Sequence, residues 1–321
     1  MIMKLFVTGA TGFTGSRVVH LLLKNGYEVR CLYRASSDRS VIGSALENAD
    51  YAKKIELARS GRSLASDLQA DVEWTLGDLS DTQALTSAMQ GTDALVNIAS
   101  LGFGHADSII RAAKDAGIKR AVFISTTAIF TQLNAKSKKV RVAAELAIET
   151  SGLKYTILRP TMIYGSPRDR NMWRLIRFMR ILPVVPVFGD GKSLQQPIYV
   201  DDVAQAVLSC LKSDITIGKS YNIAGKHPLT YNEVIDTIAK ATNKCVWKIH
   251  IPSKPVVTML SLFERMRIPF PIKAEQVLRL NENKDFSYAE AQTDFGFSPL
   301  VFEIHRRHRR SAREADRHGS L

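Results

Sequence analysis

Three glycines at a three-residue step, Gly9, Gly12 and Gly15 in the stretch TGATGFTG, constrain this chain more than any other feature. KLFVT, just before them, is a short apolar run rich in β formers and predicts a buried strand. Just after them, Phe13, Val18, Val19, Leu22 and Leu23 fall on one helical face, and Gly26 stops the helix. In a strand that feeds a helix this way, the first glycine permits a tight turn. The second lets the backbone approach a pyrophosphate, and the third lets helix and strand pack closely. The unpaired N–H groups of the first helical turn then face the phosphates. The stretch predicts a dinucleotide site built from Gly9, Thr11, Gly12, Phe13, Thr14 and Gly15.

Strands and helices alternate beyond it. Strand patterns occupy 27–34, 72–78, 93–99, 121–126 and 155–160, with helical patterns at 81–90, 105–116 and 139–151. Strict alternation implies right-handed crossovers and a parallel sheet covered on both faces. The expected fold is α/β: a Rossmann doubly wound parallel sheet with a smaller C-terminal α/β substrate domain. The expected boundaries are 1–165 with 196–224 for the dinucleotide domain, 166–195 with 225–300 for the substrate domain, and 301–321 for a basic tail. In the substrate part a basic helix covers 168–180, and helices cover 230–242 and 273–281. Asp201 or Asp202 opens the helix after PIYV, near its positive dipole end. The polar interval 35–71 exceeds what a crossover needs and is expected to be a surface insertion.

Charge and cysteine usage narrow the setting. The net charge is +13, partly from arginines in the tail, which is expected to be solvated rather than to bind nucleic acid. The basic remainder suits an anionic ligand. Cys31, Cys210 and Cys245 have neither metal-ligand nor disulfide spacing, and histidines are scattered, so no metal is expected. With no apolar run of membrane-spanning length and no signal-peptide pattern, a cytoplasmic protein is the expectation.

The end of the second strand chooses between dinucleotides. An acid there would bond the free ribose of NAD, whereas this chain reads CLYRASSDR. Arg34 stands at the strand end, and its guanidinium can hold a phosphate bidentately. NADP is therefore expected, with NAD kept open by Asp38. Asp78 and Leu79, closing the third strand, are expected at the adenine edge, with Asp78 also suited to cap the next helix. Ala99, closing the fourth strand, is expected to line the cofactor.

TGATGFTG, GDLSD, ISTTA, AAELAIETSGLKYTILRPTMIYG and PIYVDDVA, in that order, resemble the extended and atypical short-chain dehydrogenase/reductases. The likeness is greatest to the NAD(P)-dependent epimerase/dehydratase group, and it covers about residues 3–300. It implies an NAD(P)-carrying Rossmann domain and a small domain over a substrate such as a sugar nucleotide. It also implies catalysis by a Tyr-x-x-x-Lys pair with Ser or Thr. With Glu145 as anchor, the lysine position is Arg141 and the tyrosine position is Ser137, and no tyrosine occurs between Tyr51 and Tyr155. Serine alone is too weak an acid, and arginine does not cycle a proton. Candidates for the remaining chemistry are Thr126 at the substrate-hydroxyl position (with Thr127 close by), Arg141 on ribose hydroxyls or an oxyanion, and Tyr164 as acid. Lys136, Lys138 and Lys139 could serve if buried. Met162 and Ile163 are implied to line the nicotinamide. Arg170, Arg174 and Arg177 share a helical face that could hold a substrate diphosphate.

Two functions follow. One is an NAD(P)-dependent oxidoreductase or epimerase with rearranged acid–base groups, acting on a sugar nucleotide or small carbonyl compound, phosphate-bearing if the arginines serve it. The other is a non-catalytic dinucleotide binder. Families of that second kind include the NmrA-like regulators and the nucleotide-binding accessory subunit of respiratory complex I. Either is compatible with an oligomer.

Overall fold

The computed structural model describes residues 2–42, 72–169 and 171–304. The basic tail from 305, Arg170 and most of the 35–71 insertion lie outside them.

Seven parallel strands form the central sheet in the order β11-β6-β5-β4-β1-β2-β3. They are β1 (Lys4–Thr8), β2 (Glu28–Tyr33), β3 (Val72–Leu76), β4 (Ala94–Asn97), β5 (Arg120–Ile124), β6 (Lys154–Pro160) and β11 (Lys219–Ile223). Period-two alternation divides their side chains between two cores. Leu5 and Val7 of β1, Val96 of β4 and Val122 of β5 join one. Phe6, Leu95 and Phe123, between them in sequence, join the other. The first core is closed by α1 (Phe13–Lys24) and a later helix, Val200–Lys212. The second is closed by α2 (Thr82–Met89), α3 (Ala106–Asp115) and α4 (Lys136–Glu149).

The remaining helices are α5 (Met172–Ile181), α6 (Val200–Lys212), α7 (Tyr231–Thr242), α8 (Ser253–Arg265), α9 (Ala274–Leu280) and α10 (Ala289–Phe295). Short ladders tie the C-terminal region together. β7 (Ile163–Tyr164) pairs with β10 (Ile198–Tyr199), β8 (Val184–Phe188) with β13 (Trp247–Ile251), and β9 (Leu194–Gln195) with β12 (Leu229–Thr230). Tyr164, Met172, Ile176, Met179, Val187, Val234, Ile238 and Phe302 build a third core there.

Two sequence expectations shift. The basic helix begins at Met172 rather than 168, because buried Asp169 takes the Trp173 N–H at 2.8 Å and fixes the turn before it. Arg168 therefore stands in a loop. Helix α4 begins at Lys136 rather than 139. Cys31, Cys210 and Cys245 are all free thiols, and burial pushes the Cys210 thiol up to about 12.

Candidate functional site

The sheet order reverses between β1 and β4, which places a crevice outside their carboxyl ends. The three glycines face that crevice in three different ways. Gly9 turns the chain at φ +68°, and a Cβ there would lie 2.7 Å from the Ala99 nitrogen. At Gly15 a Cβ would stand 2.0 Å from the Gly9 carbonyl oxygen, so helix and loop meet with no room for a side chain. At Gly12 only the Gly9 oxygen comes near, at 3.1 Å, and the residue is exposed. Gly12 is thus the one of the three whose missing side chain leaves a space open to the surface. It is also the N-cap of α1, makes no side-chain cap, and is followed by a first turn without an acid. That uncapped, unopposed N-terminus suits an anion.

The surrounding loops are pinned. The Thr8 hydroxyl donates to Asn97 Oδ1 at 2.6 Å, and Asn97 Nδ2 donates to the Ala99 carbonyl at 3.1 Å. These bonds hold the end of β4 beside Gly9. Arg17 Nε and Nη2 clamp Asp201 at 2.6 and 2.7 Å, locking α1 to α6. Asp202, the other acid in that first turn, accepts the Leu300 N–H at 2.9 Å.

At the end of β2, Arg34 is exposed, and its backbone closes a turn with Ser37. Arg39 lies over the Tyr33 ring at 4.8 Å. Ser40 holds the Asp38 carboxyl below its usual range, with Arg168 contributing. Ser80 does the same for Asp78, with His105 and Arg34 contributing. Asp78 does not cap the next helix; Asp81 does, taking the Ala84 N–H at 3.0 Å. Leu79 is half-buried against the second core.

One residue here was not legible in the sequence. Arg168, which periodicity assigned to a basic helix, reaches from the C-terminal region to the glycine loop. Its Nη2 donates to the Thr11 carbonyl at 3.0 Å. A contact across 157 positions leaves no local pattern to read. By contrast, Arg174 and Arg177 lie exposed on α5.

The other end of the crevice is built from side chains already committed. The Thr126 hydroxyl accepts the Ala128 N–H at 3.3 Å, capping a 3₁₀ turn over Thr127–Phe130. Thr127 donates to the Pro160 carbonyl at 3.4 Å. Lys138 Nζ donates to the Thr131 carbonyl at 2.6 Å, and Lys136 and Lys139 are exposed, so none of the three is a buried amine free to act as a base. Glu282 takes the Thr131 hydroxyl at 2.6 Å and the Gln132 N–H at 2.8 Å, strapping this segment to the chain beyond α9.

Tyr164 requires correction as a candidate acid. It is 1% exposed within the third core, between Tyr199 and Phe302. Its hydroxyl accepts the Glu303 N–H at 3.4 Å, and burial drives its pKa upward. A phenol so placed reaches no solvent-facing crevice. Met162 and Ile163, just before it, are half-buried, Met162 against the third core and Ile163 against the first.

Arg141 lies along the turn after β4: a Cβ on Gly102 would be 3.0 Å from its Nη2. Burial pushes its pKa down, and nearby Arg279 adds to this, yet a guanidinium stays charged. Glu145, used above only to align the motif, is a buried keystone. It accepts the Ser125 hydroxyl and both Nε (2.9 Å) and Nη2 (2.6 Å) of Arg159. Arg159 in turn stands over Phe130 at 5.5 Å. The network joins β5, β6 and α4. Its signal was a carboxylate on the buried face of a helix, which must be paired to be tolerated.

The doubly wound sheet with a glycine-lined crevice at its switch point defines a Rossmann-type fold. The model of the "NAD dependent epimerase/dehydratase family" matches residues 5–224, and the chain belongs to that family. Among its relatives is the Arabidopsis thaliana protein "NADH dehydrogenase [ubiquinone] 1 alpha subcomplex subunit 9, mitochondrial". The two are 25% identical over 86% of this chain and 67% of that protein. The chain spans 56–67% of the length of this subunit in the four organisms matched. The UDP-glucuronate 4-epimerase of Thermodesulfobacterium geofontis is 24% identical, over 74% of this chain and 80% of that one. Among solved structures, the dTDP-glucose 4,6-dehydratase DesIV of Streptomyces venezuelae, with NAD and TYD bound, superposes with a TM-score of 0.71. It is 18% identical and covers 98% of both chains, a likeness of fold. Among the described residues no cluster of His, Cys, Asp or Glu could hold a metal, and no helix is long and apolar enough to cross a membrane.

Proposed function

We propose that this protein binds NADP in the crevice and holds it without tyrosine-dependent epimerase or dehydratase turnover. The observation that carries the reading is the contrast at Gly12 and Ser137. The loop leaves room for a pyrophosphate, while the helix that should present a phenol presents Ser137 and Arg141. The glycine loop and the first-turn N–H groups of α1 would take the pyrophosphate. Arg34 would take the 2′-phosphate, and Asp78, Leu79 and Ala99 would line the adenosine side. Met162 and Ile163 would line the nicotinamide. The cofactor supplies hydride chemistry when bound. Arg141 can orient ribose hydroxyls, but it cannot pass a proton.

Its role is then closer to that of a dinucleotide-holding accessory protein than to an epimerase. Slow reduction of an activated carbonyl is a second reading, favoured by the cations Arg141, Arg279 and Lys284 near the strapped segment. Proximity alone can support some hydride transfer.

Calorimetry with NADP and NAD tests the binding. Wild type should prefer NADP, and Arg34→Ala should weaken NADP by roughly ten- to hundredfold, the worth of a charge-assisted contact, while sparing NAD. Equal losses for both cofactors would overturn the assignment. A panel of sugar nucleotides and small carbonyl compounds, followed by cofactor absorbance, tests the chemistry. Fast turnover would move the protein into the catalytic class.

A further inference from the structure

Helix α8 carries apolar side chains beyond the face that packs inward. Leu260, with Val256, Val257 and Phe263, faces inward to a small fourth core with Ala274 and Val277. Met259, Leu262 and Met266, spaced i, i+3 and i+7, form a second stripe that no described residue covers. The stripe continues through the following turn to Ile268 and Phe270. These five side chains are 43–59% exposed. Phe270 is braced rather than loose, its ring 5.8 Å from that of Phe263.

Cations predominate around this stripe. Lys254, Arg265, Arg267 and Lys273 are exposed and make no ion pair with a described residue. The acids close by are already spent. Glu264 takes the Ala274 N–H at 2.9 Å, and Glu275 is paired with Arg279 at 2.6 Å. Arg267 also sits at φ +56°, where glycine is the ordinary choice after a helix. Its backbone still closes the helix end, donating to the Glu264 carbonyl at 3.2 Å.

We propose that the α8–Phe270 face lies against an anionic lipid bilayer. Met259, Leu262, Met266, Ile268 and Phe270 enter the headgroup boundary, while Lys254, Arg265, Arg267 and Lys273 meet lipid phosphates. Charge complementarity selects this occupant. An apolar stripe rimmed by unpaired cations is the arrangement of an in-plane membrane helix, and polybasic rims draw such helices to anionic leaflets. A second copy of the same face would bring like charges together. The inference does not depend on what the crevice binds.

The test is co-sedimentation of the full-length chain with vesicles of phosphatidylcholine alone and of phosphatidylcholine mixed with phosphatidylglycerol. Binding should favour the anionic vesicles by about tenfold or more and weaken steeply with salt, as screened surface charges do. The Leu262→Ser/Met266→Ser variant should lose most of that binding while keeping the wild-type melting temperature. Phe270→Trp should show blue-shifted emission, relative to wild type, only with anionic vesicles. Arg267→Gly separates the proposal from a purely structural role, because it should raise thermal stability and yet weaken vesicle binding. Equal binding to both vesicle types, no binding, or full binding by the Leu262→Ser/Met266→Ser variant would overturn the proposal. So would a concentration-dependent dimer broken by that variant, which would assign the face to a second copy.

Discussion

The two ends of the crevice use the same sheet in opposite ways. At the glycine-loop end the features that matter are backbone ones: φ +68° at Gly9, the open space at Gly12 and an uncapped helix start. At the other end they are side chains, and several candidates are engaged elsewhere. Thr126 caps a turn, Lys138 holds Thr131, and Tyr164 is sealed in a core. A fold can keep its ligand cradle while the chemical groups beside it change, because the cradle is made by chain geometry that the whole sheet enforces. Fold and turnover therefore need not travel together.

The sharpest way to break this comparison is to fill two of the glycines separately. Gly15→Val places carbon against the Gly9 carbonyl, at a position where even a Cβ would be 2.0 Å away. Backbone must move, and the loss should exceed about 4 kcal/mol, enough to deplete folded protein on expression. At Gly12 a Cβ would meet only the Gly9 carbonyl oxygen, at 3.1 Å, among the described residues. Gly12→Val should melt near wild type yet lose dinucleotide affinity by roughly ten- to hundredfold or more, since at least one charge-assisted phosphate contact is blocked. Thermal melts with and without NADP read both effects. A Gly12→Val protein that binds normally would show that the pyrophosphate does not use this loop.

What was legible in the sequence follows the same division. Short apolar runs rich in β formers placed strands β1 to β6 of the central sheet, because burial on both faces leaves a near-continuous apolar run. The glycine loop was readable because its chemistry is local. Helix α8 escaped because its apolar residues spread beyond the face that packs inward. Arg168 on Thr11, Glu282 on Thr131 and Glu145 on Arg159 escaped because each joins distant segments or depends on which way a buried face turns. Tyr164 misled for a related reason: a tyrosine four residues past a strand end reads as a site residue until the third core is seen around it.

A smaller effect tests whether the keystone at the chemical end is structural. Glu145→Leu removes the carboxylate that Arg159 faces, leaving a largely buried guanidinium with only the more distant Glu149, at 3.9 Å. Breaking such a pair costs about 3–5 kcal/mol, and Arg159→Met in the same chain should return a large part of it. Urea unfolding of the single and double variants measures both. NADP affinity, corrected for the folded fraction, should stay near wild type. If affinity falls while stability holds, the network serves the cofactor, and the two ends are less independent than drawn.

The smallest expected effect is a pH slope from Lys284. Its amine donates to the carbonyls of Arg279 and Glu282, and burial lowers its pKa from 10.5 to about 8, with Arg279 adding to the shift. Between those two values the unfolded chain holds a proton that the folded chain has released. Stability should therefore rise with pH across that window, by up to about 1 kcal/mol per pH unit from this group, and the penalty should be full below the folded pKa. Lys284→Met has no such proton to lose. The difference in unfolding free energy between wild type and this variant, followed from pH 7 upward, should move in favour of wild type above about pH 8. A flat difference across the window would mean that Lys284 stays solvated and keeps an ordinary amine pKa.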